Sequence, residues 1–113
     1  VNTNLPEKLR LCSLADIPEA GSKGFNLTGR KLFAVKQQGK VYLYHNSCPH
    51  IGIPLEWVED QFLDSSGSMI QCANHGALFV IKTGKCVAGP CSGRSLIPID
   101  FSIDAGDIFI SPS

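Results

Sequence analysis

Apolar residues recur along this chain in short alternating runs, and almost every run reads as a β-strand. Lys31-Leu32-Phe33-Ala34-Val35-Lys36 and Lys40-Val41-Tyr42-Leu43-Tyr44 flank Gln37-Gln38-Gly39, which predicts a hairpin with glycine in its turn. Met69-Ile70-Gln71-Cys72 and Leu78-Phe79-Val80-Ile81 predict further strands, with Lys82-Thr83-Gly84-Lys85 as another hairpin turn. Ser95-Leu96-Ile97-Pro98-Ile99-Asp100-Phe101 and Asp107-Ile108-Phe109-Ile110 read as the last pair, with Ala105-Gly106 between them. Pro98 has no N–H to give, so its run predicts an edge strand or a bulge. An N-terminal strand is expected near residues 8–12. No stretch of a dozen residues shows helical periodicity. The short helical candidates are residues 13–17, where Ser13 would cap and Asp16 stands three further on, and a turn within 55–62. The fold class this predicts is all-β: one small antiparallel domain over residues 1–113, from whose strands loops project.

Composition narrows the possibilities. With 113 residues and a 43% apolar fraction the chain can bury one core. Its formal net charge is zero, so nothing argues for an electrostatic grip on nucleic acid or an anionic membrane. The longest apolar runs, such as Ala77-Leu78-Phe79-Val80-Ile81, fall far short of the roughly 20 residues that span a bilayer. The opening Val1-Asn2-Thr3-Asn4-Leu5-Pro6 has neither a basic region nor an apolar one. A cytoplasmic monomer without membrane contact is the expectation. Asn26-Leu27-Thr28 matches a glycosylation sequon, a three-residue pattern that means nothing in that compartment. Residues 46–64 carry Glu56, Glu59, Asp60 and Asp64 and no Lys or Arg. That reads as a solvated acidic loop in preference to a docking patch.

The chemistry lies in two segments, Cys48-Pro49-His50 and Cys72-Ala73-Asn74-His75, with 21 residues between His50 and Cys72. Two thiolates and two imidazoles make a mixed sulfur and nitrogen donor set. Such a set suits a tetrahedral zinc or a 2Fe–2S cluster with Cys on one iron and His on the other. The order of ligands favours the cluster. Zinc fingers put both Cys on one segment and both His on another, with a helix carrying the His pair; here each segment gives one of each. Five Cys is an odd count, which speaks against a disulfide framework. Cys12, Cys86 and Cys91 are expected not to ligate; Cys86 and Cys91 read as reduced, partly buried thiols that pack the third loop, and a bridge between them across the Gly89-Pro90 turn is the weaker reading.

These residues resemble the Rieske iron–sulfur family. Asn46-Ser47-Cys48-Pro49-His50-Ile51-Gly52 is similar to its first ligand loop and Cys72-Ala73-Asn74-His75-Gly76 to its second. Gly84-Lys85-Cys86-Val87-Ala88-Gly89-Pro90 is similar to the segment leading into its third loop, which covers one side of the cluster. The likeness runs over roughly residues 30–111. It implies a small Rieske-like β-sandwich whose cluster-binding portion lies at about 45–91. It also implies Cys48 and Cys72 on the inner iron, with His50 and His75 on the outer one at the tip. Ile51, Ile53, Pro54 and Gly76 would form an apolar rim where a partner docks. The spacer between ligand pairs is longer than in compact members, an excursion around residues 57–68. High-potential members carry a loop-to-loop disulfide where Ile53 and Asn74 stand here, and two hydroxyls where Ala77 and Phe79 stand. Their absence places the chain with the low-potential ferredoxins and predicts a midpoint near roughly −150 mV.

Three functions are compatible with these residues. The first is a Rieske-type ferredoxin, a one-electron carrier between a ferredoxin reductase and a terminal oxidoreductase such as an oxygenase. The second is a Rieske-like accessory subunit of a larger oxidoreductase, of the nitrite-reductase kind. The third is a zinc-stapled interaction module. A terminal oxygenase would need a second iron on two His and a carboxylate, and after the four ligands only His45 remains. The first reading fits best. No residue is expected to be catalytic.

Overall fold

The computed structural model describes residues 9–27, 29–49, 52, 54–56, 58–74 and 76–110. Among the described residues nine strands run in chain order as β1 (Leu9–Ser13), β2 (Gly21–Leu27), β3 (Arg30–Gln37), β4 (Lys40–His45), β5 (Met69–Gln71), β6 (Leu78–Val80), β7 (Cys86–Ala88), β8 (Phe101–Asp104) and β9 (Asp107–Ile110). They form three antiparallel sheets with the orders β1-β9-β8, β2-β3-β4 and β5-β6-β7.

Alternation along β3 and β4 decides how these sheets stack. Side chains two apart on a strand share a face. Phe33, Val35 and Tyr44 point into one core cluster, while Leu32, Ala34, Val41 and Leu43 point into another. The middle sheet is therefore covered on both sides, which is why residues 32–35 are all apolar and all buried. On one side Cys12, Ile108 and Ile110 bring the β1-β9-β8 sheet against it, with Ile17 and Ile99 closing the edges. On the other, Ile70, Phe79, Ile81, Cys86 and the two candidate ligands Cys48 and Cys72 form the opposite core. The ligand loops thus rise from a packed floor.

Most predicted elements are present. The β3–β4 turn has Gln38 and Gly39 at φ of 53° and 75°, two left-handed residues that suit the right-handed twist of a hairpin. The Glu19 carboxylate accepts from both of their N–H groups, at 2.7 and 2.9 Å. Residues Leu14–Asp16 form a 3₁₀ turn. Ser13 caps it, and the Asp16 carboxylate accepts from the Ser13 N–H, completing a capping box.

Two expectations change. The strand read over residues 95–101 is not one element: β8 begins only at Phe101, and β8 pairs with β9 across Ala105-Gly106. Residues 97–99 instead run along the edge of β4, where Ile97 accepts from the His45 N–H and Ile99 donates to the Leu43 carbonyl. Pro98 sits between them as an isolated bridge to Tyr44, so its missing N–H interrupts no ladder. The strand β2 was not anticipated, because Gly21-Ser22-Lys23-Gly24-Phe25-Asn26-Leu27 carries two glycines and no β-branched residue. Pairing with β3 over the whole of its length holds it in place. A side chain at Gly24 would press on the Phe62 ring, 3.1 Å from a Cβ there, so close packing is the use of that glycine. The strand β7, which returns from the hairpin turn read at residues 82–85, has only three residues and pairs with β6.

The excursion between the ligand loops is fastened to β2. Phe62 stacks on Phe33 with ring centroids 4.4 Å apart. The Ser22 hydroxyl donates to the Asp60 carbonyl and accepts from the Phe62 N–H, and the Gly24 N–H donates to the Asp60 carboxylate. Asp64 accepts from Ser66 and from the Ser68 and Met69 N–H groups, and these bonds hold its carboxyl below the usual range, Ser66 foremost. Most of the acidic charge in this segment is spent on internal hydrogen bonds.

Candidate metal centre

The two ligand segments fold into matching turns. In the first, the Gly52 N–H donates to the Cys48 carbonyl at 2.7 Å; in the second, the Gly76 N–H donates to the Cys72 carbonyl at 2.8 Å. Each turn opens on a cysteine, closes four residues later on a glycine and has a histidine between. Gly52 and Gly76 have φ of +74° and +69°, a conformation that costs a side chain energy and glycine nothing. His50 and His75, together with Ile51 and Ile53, lie outside the described residues. Of the rim expected for a partner, Gly76 is exposed and Pro54 half-buried.

Hydrogen bonds join the turns to each other and to the floor. Asn46, buried at the end of β4, accepts from the Leu55 N–H at 2.8 Å and donates to Glu56 at 2.9 Å, so one side chain closes the base of the first loop. The Ala73 N–H donates to the Leu55 carbonyl at 2.8 Å. Asn74 donates from Nδ2 to the Pro54 carbonyl at 3.1 Å and to the Cys72 sulfur at 3.9 Å. Polar bonds between residues 54–55 and 73–74 therefore join the two loops.

A third loop, residues 89–94, lies across the site. A Cβ at Gly89 would be 2.8 Å from the Ala77 Cα. The Arg94 guanidinium donates to the Pro49 carbonyl at 2.8 Å, directly between Cys48 and His50 in sequence. The Cys91 sulfur lies 3.5 Å from the Cys48 sulfur. All five cysteines are buried thiols. Cys86 turns away and donates to the Ala88 carbonyl at 3.2 Å, so Cys91 faces Cys48 and not Cys86. Cys12 belongs to the opposite core, where burial, and after it the Asp16 carboxylate, push its thiol pKa up. Of these tertiary partners of Cys48 and Cys72, the sequence singles out Asn74, as a departure from the family pattern, and Cys91, in the weaker reading of a bridge to Cys86; neither reading places it beside a ligand sulfur.

Cys48 and Cys72 are wholly shielded from water, lie in one core cluster and have hydrogen-bond donors beside their sulfurs. That surrounding suits metal-bound thiolate, whose charge needs donors once water is excluded. Among the described residues, which exclude His50 and His75, no gathering of three or more His, Cys, Asp or Glu forms a metal site. No helix among them is long and apolar enough to cross a membrane.

Comparison with known proteins agrees with this geometry. The family model for the Rieske [2Fe-2S] domain matches residues 7–102. The ferredoxin component of the naphthalene 1,2-dioxygenase/salicylate 5-hydroxylase systems of a Ralstonia species is 31% identical over 77 residues, 68% of this chain and 69% of that one. The 3-phenylpropionate/cinnamic acid dioxygenase ferredoxin subunit of Escherichia coli K12 is 25% identical over 103 residues, covering 91% and 92%. The solved structure of the Sphingomonas yanoikuyae B1 ferredoxin superposes with a TM-score of 0.74 at 26% identity, covering 95% of this chain and 100% of that one. The chain belongs to the Rieske [2Fe–2S] domain family, and its cofactor is a single cluster of that type. It is an electron-transfer component and not a catalyst in its own right. The family assignment sets aside the zinc-stapled module.

Proposed function

We propose that this chain carries single electrons from a ferredoxin reductase to the terminal oxygenase of a dioxygenase-type system, on a cluster held by Cys48, His50, Cys72 and His75. The observation that supports it best is the pair of matching turns, each opening on a buried Cys and closing on a left-handed Gly. The relatives named above are ferredoxin parts of dioxygenase systems, which favours this reading over an accessory subunit of nitrite-reductase type. When bound, the cluster supplies a reversible one-electron couple. The residues of the chain supply the rest. Cys48 and Cys72 are kept dry, Asn46 and Asn74 fix the two loops, and Arg94 ties the third loop over them. Rigid loops mean little rearrangement between oxidation states, which a carrier needs. The protein works as a cytoplasmic monomer, in a compartment that keeps its thiols reduced. Partners dock on the apolar rim of Ile51, Ile53, Pro54 and Gly76.

Purified holoprotein should contain two irons and two acid-labile sulfides per chain and be red-brown. After reduction its mean EPR g value should lie below that of all-Cys ferredoxins, since nitrogen ligates the reducible iron. His50→Ala and His75→Ala should each abolish that signal. Colourless protein with one tightly bound zinc would refute the reading. Ile53→Asp should slow reduction by the cognate reductase with spectrum and midpoint intact; an unchanged rate would move docking to another surface.

A further inference from the structure

The Cys91 thiol is the feature of the site that the carrier role leaves unused. Its sulfur lies 3.5 Å from that of Cys48, and both residues are fully buried. The loop that carries it is held at both ends. The Ser92 N–H and hydroxyl both donate to the Gly89 carbonyl, at 3.2 and 2.9 Å, the Arg94 N–H donates to the Cys91 carbonyl, and the Arg94 side chain reaches Pro49. Cys91 therefore has little freedom to move away from Cys48.

We propose that Cys91 is a tuning residue: its S–H donates a hydrogen bond to the Cys48 sulfur and raises the reduction potential of the cluster. This rests on the reading of Cys48 as a ligand. Either sulfur could donate in the metal-free thiol pair, but a ligating Cys48 has no proton to give. A hydrogen bond within this pair then runs from the Cys91 S–H to the Cys48 thiolate. A donor withdraws electron density from the ligand sulfur, and the effect is worth more to the reduced, more negative cluster. Asn74 places a second donor, Nδ2, beside Cys72, so a side-chain donor stands beside both buried ligand sulfurs. In this protein those groups stand in for the hydroxyls that Ala77 and Phe79 lack.

The test is a redox titration of the holoprotein with Cys91→Ala and Cys91→Ser. Cys91→Ala should keep its iron and sulfide and shift the reduction equilibrium threefold to tenfold toward the oxidised form, roughly 30–60 mV downward for one electron. Cys91→Ser keeps a donor and should stay within about twofold of wild type, roughly 20 mV. An unchanged midpoint in Cys91→Ala, or an equal fall in both variants, would show that Cys91 only fills space. Infrared difference spectra of wild type give a readout that needs no variant to fold. An S–H stretch should move to lower wavenumber on reduction; if no S–H band responds to the redox state, the inference is wrong whatever the variants do. Cys48→Ser separates the two levels. If it leaves the cluster unaltered, the ligand reading itself fails; if it destroys the cluster while Cys91→Ala leaves the midpoint unchanged, only the tuning role fails.

Discussion

Ala77 and Gly89 meet back to back: a Cβ built on Gly89 would lie 2.8 Å from the Ala77 Cα, closer than real Cβ atoms approach. Gly89 also has a φ of +93°. Ala77 directly follows the second ligand loop and Gly89 opens the third, so this contact sets how closely the third loop covers the site.

Gly89→Ala should therefore lift the third loop. Backbone clash and left-handed strain act together, at about 1–3 kcal/mol for the strain alone. The expected outcome is faster loss of the cluster, followed as decay of visible absorbance in the presence of an iron chelator. The third loop would prove dispensable if the variant decayed at the wild-type rate.

Ala77→Ser puts a hydroxyl at a fully buried position beside the second ligand loop. A buried hydroxyl seeks an acceptor, and Ala77 shares its core cluster with the sulfurs of Cys48 and Cys72. A charge-assisted bond strengthened on reduction is worth about 1–2 kcal/mol, or roughly 40–90 mV for one electron. The midpoint should rise by tens of millivolts in a redox titration. A midpoint that falls or stays put would mean that the hydroxyl turns to a backbone carbonyl instead.

Tyr44 gives the fold a dependence on alkaline pH. Its hydroxyl donates to the Ile81 carbonyl at 2.6 Å. Burial, and after it the neighbouring Tyr42, push its pKa from 10.0 up to about 12. A pKa raised by folding stabilises the native state fully below the unfolded value and loses that contribution as pH rises through the folded one. Stability to urea, read by circular dichroism, should thus hold to about pH 10 and decline toward about pH 12. Tyr44→Phe should flatten this decline and cost about 1–3 kcal/mol at neutral pH, since the Ile81 carbonyl loses its partner. Equal alkaline slopes in both proteins would assign the decline to other groups.

What local pattern controls was legible in the residues. Alternation drew β3, β4, β6 and β9, Gln38-Gly39 drew its turn, and Ser13 with Asp16 drew the capped 3₁₀ turn. The two cysteine-histidine segments pointed to the metal and the family because ligand type and spacing are properties of sequence alone. Where long-range pairing overrides propensity, the pattern misled. Gly21–Leu27 is a strand because β3 lies beside it, and residues 97–99 lie along the edge of β4 instead of pairing with β9.

The sequence by itself determined the strand-rich class, the two ligand segments and the glycines that end them, since each depends on a few adjacent residues. Only the tertiary structure decided which side chains surround the sulfurs. Cys91 lies 43 positions from Cys48 and Arg94 lies 45 from Pro49, and nothing local specifies such pairs. They meet because residues 97–99, which follow the third loop, run along the edge of β4, which leads into the first ligand loop, and because Gly89 lacks the Cβ that would hold the third loop away from Ala77.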